Sequence, residues 1–200
     1  MRWAGAVLAA VALFAPRIDE WSRVRELSAN DPGAAATAAV QALGATNDVL
    51  PLELQQLCFE IGAGLAERGE LARAAELQTA LHTNVHADWS AIDAALTLGR
   101  LGRGPEADAL LAEHEARASS VGEIANHRGL LARGRGDDTT ARRHFGRALV
   151  AGSRHAGLSL ARMDLEVGDA AGARIGFRPG VDDAPAHDWA LRGWALCLLP

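Results

Sequence analysis

The 200-residue chain contains no lysine and no tyrosine, and all 20 of its basic residues are arginines. Without lysine there is no Walker-type phosphate lysine, no Schiff base and no pyridoxal-phosphate anchor, so whole classes of enzyme chemistry drop out. Aromatic residues are scarce at 4%, and the two cysteines, Cys58 and Cys197, stand far apart in apolar surroundings. This argues against a disulfide framework or a cysteine zinc site. Each thiol reads instead as a small buried hydrophobe. A basic stripe interleaved with stacking aromatics is also missing, and the net charge is −5. No nucleic-acid partner is expected from such a surface, and no cofactor.

What is present suits one soluble unit with enough material for a core: about half the residues are apolar and 22% are charged. The first apolar run, Trp3 to Ala15, has 13 uncharged residues. That is the length of a signal-peptide core and short of the roughly 20 needed to span a bilayer. Leu13 and Pro16 make a poor cleavage site around Ala15. Residues 1–16 therefore read as a signal, an anchor or a cap helix, with export or membrane association through residues 3–15 favoured over a cytoplasmic location.

The stretch Ala132-Arg-Gly-Arg-Gly-Asp-Asp138 admits three readings: a phosphate cradle, an adhesive Arg-Gly-Asp tripeptide, or a turn between helices. Recurrence decides for the turn. Comparable turns stand at Gly69, Gly102, Gly136 and Gly168, separated by 33, 34 and 32 residues. Five residues after each glycine comes an alanine: Ala74, Ala107, Ala141 and Ala173. The glycine ends one helix in a left-handed conformation that it alone adopts without steric penalty, and the small residue lets the next helix approach closely. Asp137 or Asp138 then caps the following helix.

The copy from Gly122 to about His155, with Gly129, Ala141, Phe145 and Ala148, resembles the tetratricopeptide repeat (TPR). Looser copies contain Gly62, Leu65, Gly69 and Ala74, then Ala95, Leu98, Gly102, Ala107 and Leu111. Phe177, Pro185, Trp189 and Gly193 extend the pattern, and the turn Asn30-Asp-Pro-Gly33 with Ala38, Ala42 and Ala45 marks a degenerate earlier copy. Asp164 departs from the pattern at an apolar position, as do Arg128 and Arg192 where leucine is usual. The resemblance implies an all-α fold, a right-handed α-solenoid of about five helix-turn-helix hairpins behind the apolar N-terminal segment. The expected organisation is a degenerate hairpin over 17–54, then an array over 55–200 with repeats at about 55–87, 88–121, 122–153 and 154–185 and a partial repeat at 186–200. The last helix, with Trp189, Trp194 and Leu198, has no partner of its own, which points to self-association there or to a longer protein.

Catalytic constellations do not assemble. Gly157-Leu-Ser159-Leu-Ala161 lacks the strand and second glycine of a nucleophile elbow and reads as a serine within a helix. His82 and His86 share a helix face but lack a third metal ligand. Glu113-His114-Glu115 reads as a solvated face. The chain is therefore expected to be non-enzymatic, a TPR scaffold or adaptor. The alternative is a regulatory or substrate-recruiting array of a larger enzyme or membrane-associated complex. In the TPR family the first helix of each repeat lines a concave groove that holds a protein or peptide. Carried onto this chain, the groove positions are Gln56, Phe59 and Ala63, then Trp89, Ile92 and Leu96, then Glu123, Asn126, Leu130 and Arg133, with Arg162 beyond. Trp89 is the expected anchor, since large aromatics contribute most per residue to binding. Charge divides along the chain: residues 48–120 carry 5 arginines against 12 acids, and residues 121–178 carry 10 against 6. An acidic ligand on the later repeats and an end-to-end self-association both fit that asymmetry. The lysine-free, alanine-rich composition is bacterial in style.

Overall fold

The computed structural model describes residues 20–183 together with Arg192, Gly193, Ala195 and Cys197. The apolar run 3–15 and the expected self-association residues Trp189, Trp194 and Leu198 lie outside the described residues. Among the described residues all regular structure is helical. Helix α1 covers residues 20–30. It is followed by α2 (Pro32–Gly44), α3 (Leu52–Glu67), α4 (Leu71–Val85), α5 (Asp88–Arg100), α6 (Gly104–Glu115), α7 (Val121–Gly134), α8 (Asp138–Val150), α9 (Arg154–Glu166) and α10 (Ala170–Asp183). The chain divides into two compact units, Met1–Ala107 and Asp108–Pro200.

One turn is used five times among the described residues, the fifth at Gly152, where φ is 87° and the Ser153 N–H reaches the Ala148 carbonyl at 2.9 Å. Gly69, Gly102, Gly136 and Gly168 have φ of 82°, 83°, 76° and 82°. The residue after each glycine reaches back over the helix end, as in Glu70 N–H to the Leu65 carbonyl at 2.9 Å and Asp137 N–H to the Ala132 carbonyl at 3.0 Å. This closure satisfies carbonyls that would otherwise be left bare, and the positive φ it requires favours glycine, which has no Cβ to strain. Gly136 is thus punctuation, as expected, and Asp137 caps α8 by accepting the Thr140 N–H at 3.0 Å. That bond holds the exposed Asp137 carboxyl below its ordinary range. The four alanines that follow, Ala74, Ala107, Ala141 and Ala173, are fully buried.

In the first unit α2 packs on α3 and α4, and α4 packs on both α3 and α5. The core gathers Trp21, Val24, Ala39, Leu43, Leu65 and Leu81, among others. Cys58 is fully buried there, and desolvation pushes its thiol up to about 12, where it behaves as the expected small hydrophobe. Cys197 is only half-buried, with its Sγ 3.2 Å from the Gly193 carbonyl. The chain between α2 and α3 is pinned by Asn84, whose amide oxygen accepts the Leu50 N–H at 2.9 Å while its NH2 donates to the Asp48 carbonyl at 3.0 Å. Such a clamp on both faces of one amide fixes a loop that makes no ladder of its own.

In the second unit α7 packs on α8, α8 on α9 and α9 on α10. Phe145 is fully buried and fills the space that Gly129 leaves on α7: a Cβ at position 129 would lie 2.5 Å from Phe145 Cε1. Phe177 forms the next cluster with Leu158, Ala161 and Ala173, and a Cβ at Gly193 would lie 2.5 Å from its ring.

Two of the motif departures are charged and paired. Arg128 stands where the repeat usually has leucine, and it donates to Asp108 at 2.8 and 3.3 Å and to Glu115 at 2.8 Å. Arg147 binds the other Glu115 oxygen at 2.5 Å. Asp164, at an apolar position of the pattern, accepts from Arg142 at 2.6 Å. Of Glu113-His114-Glu115 only Glu113 is solvated as expected, its side chain 78% exposed, whereas His114 is fully buried and the Glu115 side chain is only 12% exposed. The helix-neighbour rule that separates adjacent residues says nothing about arginines arriving from α7 and α8. Burial pushes Asp108 up, but the hydrogen bonds and charge of Arg128 outweigh it and hold the carboxyl below its ordinary value. His144, buried in the same neighbourhood with Nδ1 lacking a hydrogen-bond partner, is pushed down by burial and then by the Arg128 charge.

Two outcomes are expected. Gly129→Ala forces Phe145 or the backbone to move and destabilises the protein by about 1–3 kcal/mol, the usual cost of overpacking; an unchanged urea midpoint would refute this seating. His144 has a folded pKa below its unfolded value near ~6.5, so the unfolded state binds more protons below that pH. Stability is therefore complete above about pH 6.5 and declines as pH falls through it. Urea midpoints between pH 7.5 and 5.5 should show that decline, with a smaller one in His144→Gln.

Candidate functional site

The first unit carries an aromatic pair of which Trp89 is exposed and Phe59 half-buried. Trp89 lies in the first turn of α5 and Phe59 in the middle of α3, and their rings meet edge to face with centroids 5.9 Å apart. Trp89 stays 39% exposed and Leu96 37%, and the i, i+3, i+7 spacing from Trp89 through Ile92 to Leu96 places the three along one helix stripe. Ile92 and Ala63 are half-buried. Gln56 is exposed and donates to Glu60 at 2.9 Å. The five expected positions Gln56, Phe59, Trp89, Ile92 and Leu96 thus all belong to α3 and α5, with the aromatic pair bridging the two helices. An edge-to-face pair of this kind is worth about 0.5–1.5 kcal/mol beyond its buried area and holds Trp89 in place.

Asp93, one turn beyond Trp89, was not among the expected positions. It is half-buried, accepts from Gln78 Nε2 at 2.7 Å, and burial raises its pKa against that hydrogen bond. Gln78 itself packs against Gly62, whose Cβ would lie 3.1 Å from Gln78 Cγ. The sequence signal was a buried-face position occupied by an amide, which needs a polar mate.

In the second unit the four expected positions separate. Asn126 is 3% exposed and its Oδ1 has no hydrogen-bond partner, so this side chain is packed inside. Glu123 is half-buried and accepts the Ser153 hydroxyl at 2.7 Å, which engages it at the start of α9. Leu130 and Arg133 do reach the surface. With Leu158, Ser159 and Arg162 they line a shallow pocket of about 280 Å³. Arg133 and Arg162 both meet Glu166 Oε1, Arg162 through Nε at 3.3 Å. Glu166 escaped the sequence reading, although its i, i+4 relation to Arg162 was visible. Ser159 donates to the His155 carbonyl at 3.1 Å and is a serine within α9, as expected.

A second concavity, of about 370 Å³, opens in the first unit between Trp21, Ala42, Val49, Leu50 and Leu54. His82 is buried; the Ser90 hydroxyl donates to the Ala87 carbonyl at 2.8 Å, so His82 donates its Nδ1–H to Ser90 Oγ at 3.0 Å. His86 ends α4 at φ 54°. Among the described residues no group of three or more His, Cys, Asp or Glu side chains is placed to hold a metal. Among them, too, no helix is long and apolar enough to cross a membrane.

No family model matches the sequence, and no curated protein matches it. Solved structures do. The crystal structure of TTC0263, a thermophilic TPR protein of Thermus thermophilus, matches over 92% of this chain and 100% of its own, with 18% identity and a TM-score of 0.60. A tetratricopeptide repeat protein from Parabacteroides merdae matches over 90% of this chain and 72% of its own, with 16% identity and a TM-score of 0.61. At such identity the likeness is one of backbone arrangement, and it agrees with the glycine turns, buried alanines and hairpins built up above. The chain has the tetratricopeptide-repeat fold, an all-helical array of helix-turn-helix hairpins.

Proposed function

We propose that this chain is a non-enzymatic scaffold or adaptor that holds a protein or peptide partner along the first helices of its hairpins. The observation that carries the reading is the Phe59–Trp89 pair on α3 and α5, a preformed aromatic surface with Trp89 39% exposed and Leu96 beside it at 37%. Exposed aromatics that stay fixed in the unbound protein lose little freedom on binding, which is how a few anchors come to dominate an interface. Apolar side chains of an extended or helical segment fit this stripe, since helix-borne grooves read such segments through residues spaced along one face. In the second unit Leu130 and Arg133 offer a different chemistry, an apolar wall beside a cation, suited to a leucine-like side chain next to a carboxylate.

Trp89→Ala is expected to weaken capture of the partner by about tenfold or more, as loss of an interface anchor does, and to lower the thermal unfolding midpoint only by the few degrees that loss of the edge-to-face contact costs, so both proteins are compared well below it. Titrating the purified partner against both proteins checks this. Equal affinities would remove Trp89 from the site.

A further inference from the structure

We propose that Glu166 is a resident stand-in for a partner's carboxylate, occupying an arginine pair that a carboxylate-bearing peptide displaces it from. This rests on the reading of the chain as a peptide-binding scaffold and adds how its second unit is regulated. Arg133 extends from the last turn of α7 and Arg162 from α9, and both guanidiniums converge on the same oxygen, Glu166 Oε1. Neither makes another ion pair among the described residues. A guanidinium presents five N–H donors, so two of them meeting one oxygen leave most of their capacity unused. The apolar wall beside them is Leu130, 39% exposed, over the buried Leu158.

Three physical features make Glu166 easy to displace. It is the last residue of α9, where the negative end of the helix dipole repels a carboxylate. Its i, i+4 partner Arg162 precedes it in sequence, the weaker of the two orders for a helical ion pair. The Glu166 side chain is also 50% exposed and that of Arg162 69%, and exposed pairs contribute only about 0–1 kcal/mol. Arg133, by contrast, is held at 20% exposure and sits at the favourable end of its own helix. An incoming carboxylate takes over the same charge-assisted bonds and brings an apolar side chain against Leu130 that Glu166 cannot supply. The occupant is therefore a peptide carboxylate, whether a chain terminus or an acidic side chain. The excess of arginine over acid across residues 121–178, 10 against 6, favours the same class of ligand.

The test uses the full chain and a fluorescein-labelled, leucine-rich peptide in three forms: with a free C-terminal carboxylate, with an amidated terminus, and amidated with one internal aspartate. Affinities are read by fluorescence anisotropy at low salt. Glu166→Gln is expected to bind at least one carboxylate form about twofold to fivefold more tightly than the unaltered chain, the worth of an exposed ion pair. The amide alone should gain nothing. Whichever carboxylate form gains identifies the source, and the gain should vanish in Arg133→Ala/Glu166→Gln. An unchanged or weakened affinity in Glu166→Gln overturns the proposal, as does an equal gain for the amide or binding of no carboxylate form by either protein. Trp89→Ala in the same assay reports the aromatic surface separately, so failure of that surface and failure of the arginine pair are distinguishable.

Discussion

The seating of the Phe145 ring over Gly129 sets how closely α7 and α8 can approach, and the rest of the second unit is arranged around that distance. The ring is fully buried and a Cβ at Gly129 would lie 2.5 Å from it. Close-packed interiors leave no slack for an added methyl. The small residue opposite the large one is therefore a condition of the hairpin, and Ala141 and Ala148 in the same cluster keep the flanking turns equally close. In the first unit Gly62 faces Gln78 instead of an aromatic ring. A buried amide then needs a mate, and Asp93 supplies it from α5. One substitution at a packing position has thus placed a half-buried carboxylate one turn from Trp89.

The turns were legible in the sequence because a positive φ leaves so few residue choices. Gly69, Gly102, Gly136 and Gly168 recur for that reason, and Ala74, Ala107, Ala141 and Ala173 recur because helix contact tolerates little bulk. Side-chain partnerships between helices were not legible. Nothing local to Glu115 announces that Arg128 and Arg147 converge on it from 13 and 32 residues away. Asn126 shows the same limit from the other side. Its spacing along α7 matched the expected groove face, yet only packing decided that the side chain lies inside. Glu166 was half visible: its relation to Arg162 is local, whereas its bond to Arg133 spans 33 residues.

The charged departures from the repeat pattern also show how the motif can be broken without losing the fold. A leucine position tolerates arginine where two carboxylates stand ready, because a buried charge is costly only when unpaired. Asp108 and Glu115 hold Arg128 at 15% side-chain exposure. Asp164 reaches Arg142 by the same logic. Ion pairing thus substitutes for apolar packing at these positions, and the geometry becomes directional where a leucine contact would slide.

The Arg128–Asp108–Glu115–Arg147 network has one more consequence, which follows from the residue type chosen for its cations. Lysine at either position would expose the latch to acetylation, a modification that erases charge by capping an amine. The chain has no lysine at all. Guanidinium stays protonated across the cellular pH range, and methylation leaves its charge in place. The cationic half of the latch is therefore out of reach of the acetylating enzymes that neutralise lysine-built interfaces.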